Sequence, residues 1–128
     1  MSDKKKVMVV DDVPMNRKIL KLWFERHDLE VVMASNGDEA IEVFYKEVPD
    51  VTFMDINMPK KDGKIATEVI KVSHPEAVVF ALSTDPCDMH QQADGGYKPF
   101  DDYLQKPINF SLIKSLLKDY QFELEDEV

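Results

Sequence analysis

The sequence has no long apolar run and no pair of cysteines. Its hydrophobic stretches fall well short of the roughly 18 residues that a membrane-spanning helix needs, so we expect a soluble protein without membrane contact. The apolar run from Val7 is broken by Asp11 and Asp12, which argues against an export signal. The single cysteine, Cys87, cannot form an internal disulfide, in agreement with a reducing compartment. The sequence therefore predicts a cytoplasmic protein.

Basic residues are also scarce. The chain has 16 lysines and arginines against 25 aspartates and glutamates, a formal net charge of −9 at pH 7. A protein that grips the phosphates of duplex DNA needs a basic face, so this charge argues against nucleic acid as a direct partner. Clustered carboxylates instead favour a divalent cation, because hard cations prefer oxygen ligands. The histidines lie far apart and outside any Cys/His cluster, so a zinc site is not expected.

Length and patterning indicate one α/β domain. At 128 residues and 44% hydrophobic content, the chain suits a single core, which we assign to residues 1–122, with an acidic tail at 123–128. We expect strands at residues 5–10, 29–34, 51–54 and 77–82 and around Tyr103. Five helices alternate with them, the weakest at 86–93. This pattern predicts a parallel sheet covered by helices on both faces.

Each of four apolar runs ends in residues that can handle a phosphoryl group or a hard metal ion. They are Asp11-Asp12, Asp55, Ser83-Thr84 and Lys106-Pro107. The carboxyl ends of neighbouring parallel strands lie along one edge, where open α/β sheets place their sites. We therefore expect three carboxylates, a hydroxyl and an ammonium to converge.

These side chains fit phosphoryl transfer to a carboxylate. Asp55 stands alone after its strand and is the natural acceptor, while Asp11 and Asp12 can reach a shared cation, for which Mg²⁺ fits best. Ser83 can donate to one phosphoryl oxygen, and Lys106 can pair with another. Without phosphate, we expect Lys106 to pair with Asp55.

A switch is a further expectation. A phosphoryl group on Asp55 would attract Ser83 inward, and the space this opens could admit the aromatic ring of Tyr103 from the adjacent strand. A half-buried packing role for Tyr103 is the alternative from the residues alone.

Five motifs in this order resemble the receiver domains of two-component response regulators. The motifs are Val-Val-Asp-Asp (9–12), Phe-Met-Asp-Ile-Asn-Met-Pro (53–59), Asp62-Gly63, Ala-Leu-Ser (81–83) and Asp-Tyr-Leu-Gln-Lys-Pro (102–107). The resemblance extends from about Lys5 to Tyr120. It implies a flavodoxin-like, doubly wound sheet of order 2-1-3-4-5, and phosphorylation of Asp55 by a histidine kinase or a histidine phosphotransfer protein.

The resemblance also implies roles for individual residues. Mg²⁺ would be held by Asp12, Asp55 and the backbone carbonyl of Asn57, with Asp11 acting mostly through metal-bound water. Ser83 and Tyr103 would form the switch. Lys106 would contact the phosphoryl group, and the Lys106-Pro107 peptide bond would be cis. The Asn16-Arg17 pair resembles receivers of hybrid kinases and phosphorelays.

Two other functions stay open at this point. One is a receiver-like binding module that works without phosphorylation, and the other is a Mg²⁺-dependent phosphatase or mutase with an aspartyl nucleophile. The second reading lacks the catalytic aspartate that such enzymes carry two residues after the nucleophile, since Asn57 stands there. No motif in the sequence identifies the output partner. Thr84 and the Gly95–Pro99 loop depart from the family pattern, and the bulk of Thr84 is expected to narrow access to Asp55.

Overall fold

The computed structural model describes residues 4–56, 58, 63–84, 99–122 and 124. Five strands form one sheet: Lys6–Val10 (β1), Glu30–Ala34 (β2), Val51–Asp55 (β3), Val79–Ser83 (β4) and Asp102–Gln105 (β5). All neighbouring strands are parallel, in the order β2-β1-β3-β4-β5. The predicted flavodoxin-like order is therefore confirmed.

The described residues also form four helices: Pro14–Arg26 (α1), Gly37–Glu47 (α2), Gly63–Ser73 (α3) and Phe110–Asp119 (α4). None of these helices is long and apolar enough to cross a membrane. The helix predicted at 86–93, the 95–99 loop up to residue 98, and Asn57 lie outside the described residues. Of the acidic segment 123–128, Leu124 alone is described.

Local sequence signals fix where the helices begin. Pro14 occupies the first turn of α1, where its missing N–H costs nothing. Asn36 caps α2 by accepting a hydrogen bond from the Glu39 N–H at 2.9 Å. Asn109 caps α4 in the same way: its side-chain oxygen accepts hydrogen bonds from the N–H groups of the second and third residues of the helix. Each cap therefore fixes the start of its helix shortly after the preceding strand of the sheet ends.

The core has two halves, one on each face of the sheet. Alternate residues of β1 and β3 point to opposite faces, as strand geometry requires. Val9 and Phe53 belong to the half that includes Leu20 of α1, together with residues of α4. The other half contains Met8, Met54 and the inner residues of α2 and α3. All five residues of β3 and of β4 are buried, so the ends of these two central strands are firmly positioned.

One buried hydroxyl in this core has no hydrogen-bond partner within the described part of the chain. Thr52 and Thr67 are both completely buried. Thr67 Oγ1 donates to the Gly63 carbonyl at 2.7 Å, whereas Thr52 Oγ1 has no partner among the described residues. Burying a polar group without a hydrogen bond costs free energy, so Thr52 should be a site of avoidable instability.

Thr52→Val should raise the free energy of unfolding by about 1 kcal/mol, because a methyl group replaces the unpaired hydroxyl at nearly constant shape. Thr67→Val is the matched control and should lower it by about 1 kcal/mol, since its hydroxyl is paired. Urea denaturation of the three proteins measures both changes. A Thr52→Val variant less stable than the parent would show that the hydroxyl is satisfied.

Candidate functional site

The carboxyl edge of the sheet brings the predicted side chains together. The residues there are Asp11 and Asp12 after β1, Asp55 at the end of β3, Ser83 at the end of β4 and Lys106 after β5. In the register of the sheet, Asp55 lies opposite Leu82 and Ser83 lies opposite Gln105. The strands therefore end nearly level, and side chains far apart in sequence meet at one rim.

Three carboxylates form the centre of this rim. One oxygen from each of Asp11, Asp12 and Asp55 lies within 4.8 Å of the other two, close enough for all three to face one metal ion. Asp11 is 0% and Asp55 3% exposed, while Asp12 is exposed to solvent. Because carboxylate oxygens are the ligands that hard divalent cations prefer, this cluster could hold such an ion with one side open to water.

Lys106 supplies the positive charge. Its Nζ donates to Asp11 Oδ2 at 3.0 Å and to Asp55 Oδ2 at 3.2 Å. The pairing with Asp55 agrees with the sequence-based expectation, but the equally close contact with Asp11 was not anticipated. The peptide bond from Lys106 to Pro107 is cis, as the resemblance implied.

The two carboxylates also shift the titration of Lys106. Burial by itself lowers the pKa of its ammonium, but the hydrogen bonds and charges of Asp11 and Asp55 outweigh burial and raise the pKa above its ordinary value of 10.5. A raised folded-state pKa means that the pairing contributes its full stability below that ordinary value. The contribution is lost only as the pH rises through the higher folded-state pKa, so Lys106 is a charged partner throughout the neutral range.

Ser83 and Tyr103 lie on the same face of the sheet. Ser83 is 1% exposed, and its carbonyl accepts a hydrogen bond from the Lys106 N–H at 2.8 Å. Tyr103 lies opposite Ala81 in the register, is half-buried, and meets the ring of Phe100 edge-on with centroids 5.4 Å apart. Their roles as a switch stay a prediction.

The start of α3 packs tightly against the end of β3. A Cβ atom added to Gly63 would clash with the backbone carbonyl of Asp55 and lie 2.7 Å from Met54 Cγ. Only glycine permits this close approach, which fixes the backbone of Asp55 from the side of α3. Close packing therefore explains why the second position of the Asp62-Gly63 motif is glycine. Thr84, which follows Ser83, is exposed, and its effect on access to Asp55 stays a prediction.

Two residues of α1 contact Asp11, a role that the sequence did not reveal. Asn16 Nδ2 donates to Asp11 Oδ2 at 3.3 Å, and Arg17 Nη1 donates to the Asp11 carbonyl at 2.6 Å. The Val13 N–H donates to the other carboxylate oxygen, Oδ1, at 2.9 Å. The sequence signal for Asn16 and Arg17 is their place in the first turn of the helix that follows the Asp-Asp pair.

A cavity of about 260 Å³ borders the same cluster. It lies between α1 and the segment that joins β5 to α4, and most of its lining side chains are apolar, Ile19 and Phe110 among them. Asp11, Asn16 and Lys106 also line it. The buried side of the cluster is therefore reached from a gap between two helices.

Comparisons with known proteins place this geometry in context. Residues 7–118 match the family model described as the response regulator receiver domain. "Probable transcriptional regulator ycf27" of Guillardia theta is 36% identical over 110 residues, covering 85% of this chain and 42% of that protein. "Hybrid signal transduction histidine kinase F" of Dictyostelium discoideum is 30% identical over 121 residues, covering 90% of this chain and 11% of that protein. The chain spans less than half the length of these relatives.

Solved structures show the same similarity. The response regulator TrrA of Thermotoga maritima, solved in complex with Mg²⁺-BeF, matches with a TM-score of 0.79 and 30% identity, over 90% of this chain and 97% of that one. A co-crystal structure of the Saccharomyces cerevisiae phosphotransfer protein Ypd1 and the receiver domain of Ssk1 matches with a TM-score of 0.76 and 25% identity, over 90% of this chain and 88% of that one.

Lys106→Met should lower the free energy of unfolding at neutral pH by about 1 to 3 kcal/mol, because two buried carboxylates lose their charged partner. A divalent cation should recover part of this loss, since it replaces the missing positive charge. Urea denaturation with and without the cation measures both effects.

Lys71→Met is the control for this prediction. It removes another ammonium that pairs with a carboxylate, 2.8 Å from Asp101 Oδ2, so its loss of stability should not be recovered by the cation. If Lys106→Met were as stable as the parent in the absence of the cation, Lys106 would not be the group that holds the cluster together.

Proposed function

The chain belongs to the response regulator receiver domain family, and we propose that it is a phosphoacceptor: Asp55 takes a phosphoryl group from a phosphohistidine donor, and this changes a partner-binding surface. The observation that carries the proposal is the meeting of Asp11, Asp12 and Asp55 with Lys106 at one edge of the sheet. Residues 1–122 would form this cytoplasmic receiver domain, with 123–128 as its acidic tail.

The donor set fits Mg²⁺. The cluster offers three carboxylates and is open to solvent through Asp12, and Mg²⁺ favours a few carboxylates together with water and phosphate oxygens. Asp12, Asp55 and the Asn57 carbonyl would hold the ion, with Asp11 acting through water. Bound there, Mg²⁺ would offset the negative charge of the phosphoryl oxygens. The Mg²⁺-BeF complex of the similar protein TrrA supports this choice.

In the proposed reaction, an Asp55 carboxylate oxygen attacks the phosphorus of the phosphohistidine. A new O–P bond forms while the P–N bond breaks, and the leaving imidazole nitrogen takes up a proton from water, so atoms and charge balance. Lys106 Nζ already lies 3.2 Å from Asp55 Oδ2, and it would turn to a phosphoryl oxygen. The Ser83 hydroxyl would donate a hydrogen bond to another phosphoryl oxygen. Asp55 and Lys106 would thus work without large backbone movement.

The response would pass from Ser83 to Tyr103. When the Ser83 hydroxyl moves toward the phosphoryl group, space opens on the face of the sheet that both residues share. The half-buried ring of Tyr103 would rotate inward and change the surface around β5. The chain would catalyse only its own phosphorylation and dephosphorylation.

The donor would be a histidine kinase or a histidine phosphotransfer protein. The co-crystal of Ypd1 with the receiver domain of Ssk1 supports the second kind. On this chain, Met15, Ile19 and Leu22 of α1 are exposed apolar side chains, and Ile19 lines the cavity beside Asp11. A helical donor that brings its phosphohistidine to Asp55 would cover this part of α1. The output partner would be another protein, which the sequence does not identify.

Incubation with Mg²⁺ and a small acyl-phosphate donor should add one phosphoryl group to the protein, as measured by intact mass. Asp55→Asn should show no addition, because an amide oxygen is a poor nucleophile at phosphorus. Asp119→Asn, which changes a carboxylate at the far end of α4, is the matched control and should react like the parent.

Chelation of Mg²⁺ should abolish the addition in the parent protein and in Asp119→Asn. If Asp55→Asn gained the phosphoryl group as readily as the parent, Asp55 would not be the acceptor. If none of the proteins gained it, a binding module that works without phosphorylation would be the better description of the chain.

A further inference from the structure

The first turn of α1 is tied to Asp11 at two points. Asn16 reaches the carboxylate of Asp11 and Arg17 reaches its backbone carbonyl, at 3.3 and 2.6 Å. The backbone N–H groups of Asn16 and Arg17 both donate to the Val13 carbonyl, so the turn itself is well formed. Two consecutive residues of α1 therefore hold both the backbone and the side chain of Asp11.

The two oxygens of the Asp11 carboxylate are held differently. Oδ1 accepts from the Val13 N–H at 2.9 Å. Oδ2 accepts from two side chains of the described residues, Asn16 at 3.3 Å and Lys106 at 3.0 Å. Since Asp11 is completely buried, each of these donors replaces hydrogen bonds that water would otherwise supply. Lys106, however, is shared with Asp55.

We propose that Asn16 is a positioning residue, which keeps the Asp11 carboxylate facing the metal when Lys106 turns to the phosphoryl group. This inference rests on the proposed function of Asp55. Once Lys106 leaves, Oδ2 loses its charged donor, and the Val13 N–H holds only Oδ1. Rotation about the final torsion of an aspartate is soft, so a carboxylate anchored through one oxygen can turn away. The Asn16 amide prevents this by holding Oδ2.

The chemistry of an amide suits this task. Asn16 is neutral, so it orients Asp11 without cancelling the negative charge that attracts the cation. A lysine or arginine at this position would compete with the metal for the same carboxylate. Outer partners that orient the ligands of a metal commonly change its affinity by about 10 to 100-fold when they are removed. The side chain of Asn16 is short, and its helix is hydrogen-bonded to Asp11, so the amide is well placed to orient the Asp11 carboxylate.

The test is calorimetric titration of Mg²⁺ into Asn16→Leu and the parent protein, with and without beryllofluoride as a mimic of the phosphoryl group. Leucine keeps the size of asparagine but cannot donate. With beryllofluoride, Asn16→Leu should bind Mg²⁺ about 10-fold more weakly than the parent. Without it, the loss should be clearly smaller, because Lys106 still holds Asp11 Oδ2. Lys18→Gln, an exposed change on the same turn, should match the parent in both titrations.

Two outcomes would overturn the role of Asn16. Affinities equal to those of the parent in both titrations would show that the amide does not matter. Equal losses in both would indicate a displaced helix rather than a partner that acts when Lys106 leaves. Asn16→Ala provides the same comparison if Asn16→Leu does not fold, as judged by circular dichroism. A parent protein that binds neither Mg²⁺ nor beryllofluoride would instead remove the proposed function itself.

Discussion

One ammonium shared by two buried carboxylates is the interaction on which the site depends. Lys106 Nζ lies 3.0 Å from Asp11 and 3.2 Å from Asp55, and both carboxylates are almost completely shielded from water. Buried charges are tolerated only when they are paired and hydrogen-bonded. Under the proposed function, a phosphoryl group or a cation that enters the cluster would offer these charges new partners.

The rest of the fold holds this cluster in place. Buried central strands end level at one rim, and Gly63 lets α3 approach the backbone of Asp55. On the other side, the first turn of α1 is bonded to Asp11 through Asn16 and Arg17. Asp55 is thus positioned by the sheet, while the groups around it are held through side-chain hydrogen bonds and ion pairs. A fixed backbone together with side-chain pairs that exchange partners would produce the proposed signalling function.

The architecture was largely predictable from the sequence because hydrophobic runs report burial. The predicted strands all occur, and among the described residues helices alternate with them as expected. The strand bounds differ by a residue or two for a physical reason. Ala77 was assigned to a strand because it is apolar, and it is indeed buried, but the strand pairing of β4 begins at Val79. Hydrophobicity shows which residues are inside, not which ones form the ladder.

The finer contacts of the site were less predictable. The sequence indicates that Asp11 and Lys106 share an edge, but not that they bond across a separation of 95 residues. The donors on Asp11 from α1 depend on the direction in which the helix leaves the loop, which no local pattern specifies. In the proposed switch, the movement of Tyr103 would depend on a second state of the same cluster.

A crystal structure of the protein with Mg²⁺ and beryllofluoride tests the central claim most directly. The account predicts beryllium bonded to an Asp55 oxygen, Mg²⁺ in contact with Asp12 and Asp55, and Lys106 Nζ bonded to a fluorine, with its contact to Asp11 broken. If Lys106 kept both carboxylates as partners while the beryllofluoride bound elsewhere, the shared ammonium would be a structural ion pair, and the phosphoacceptor function would be contradicted.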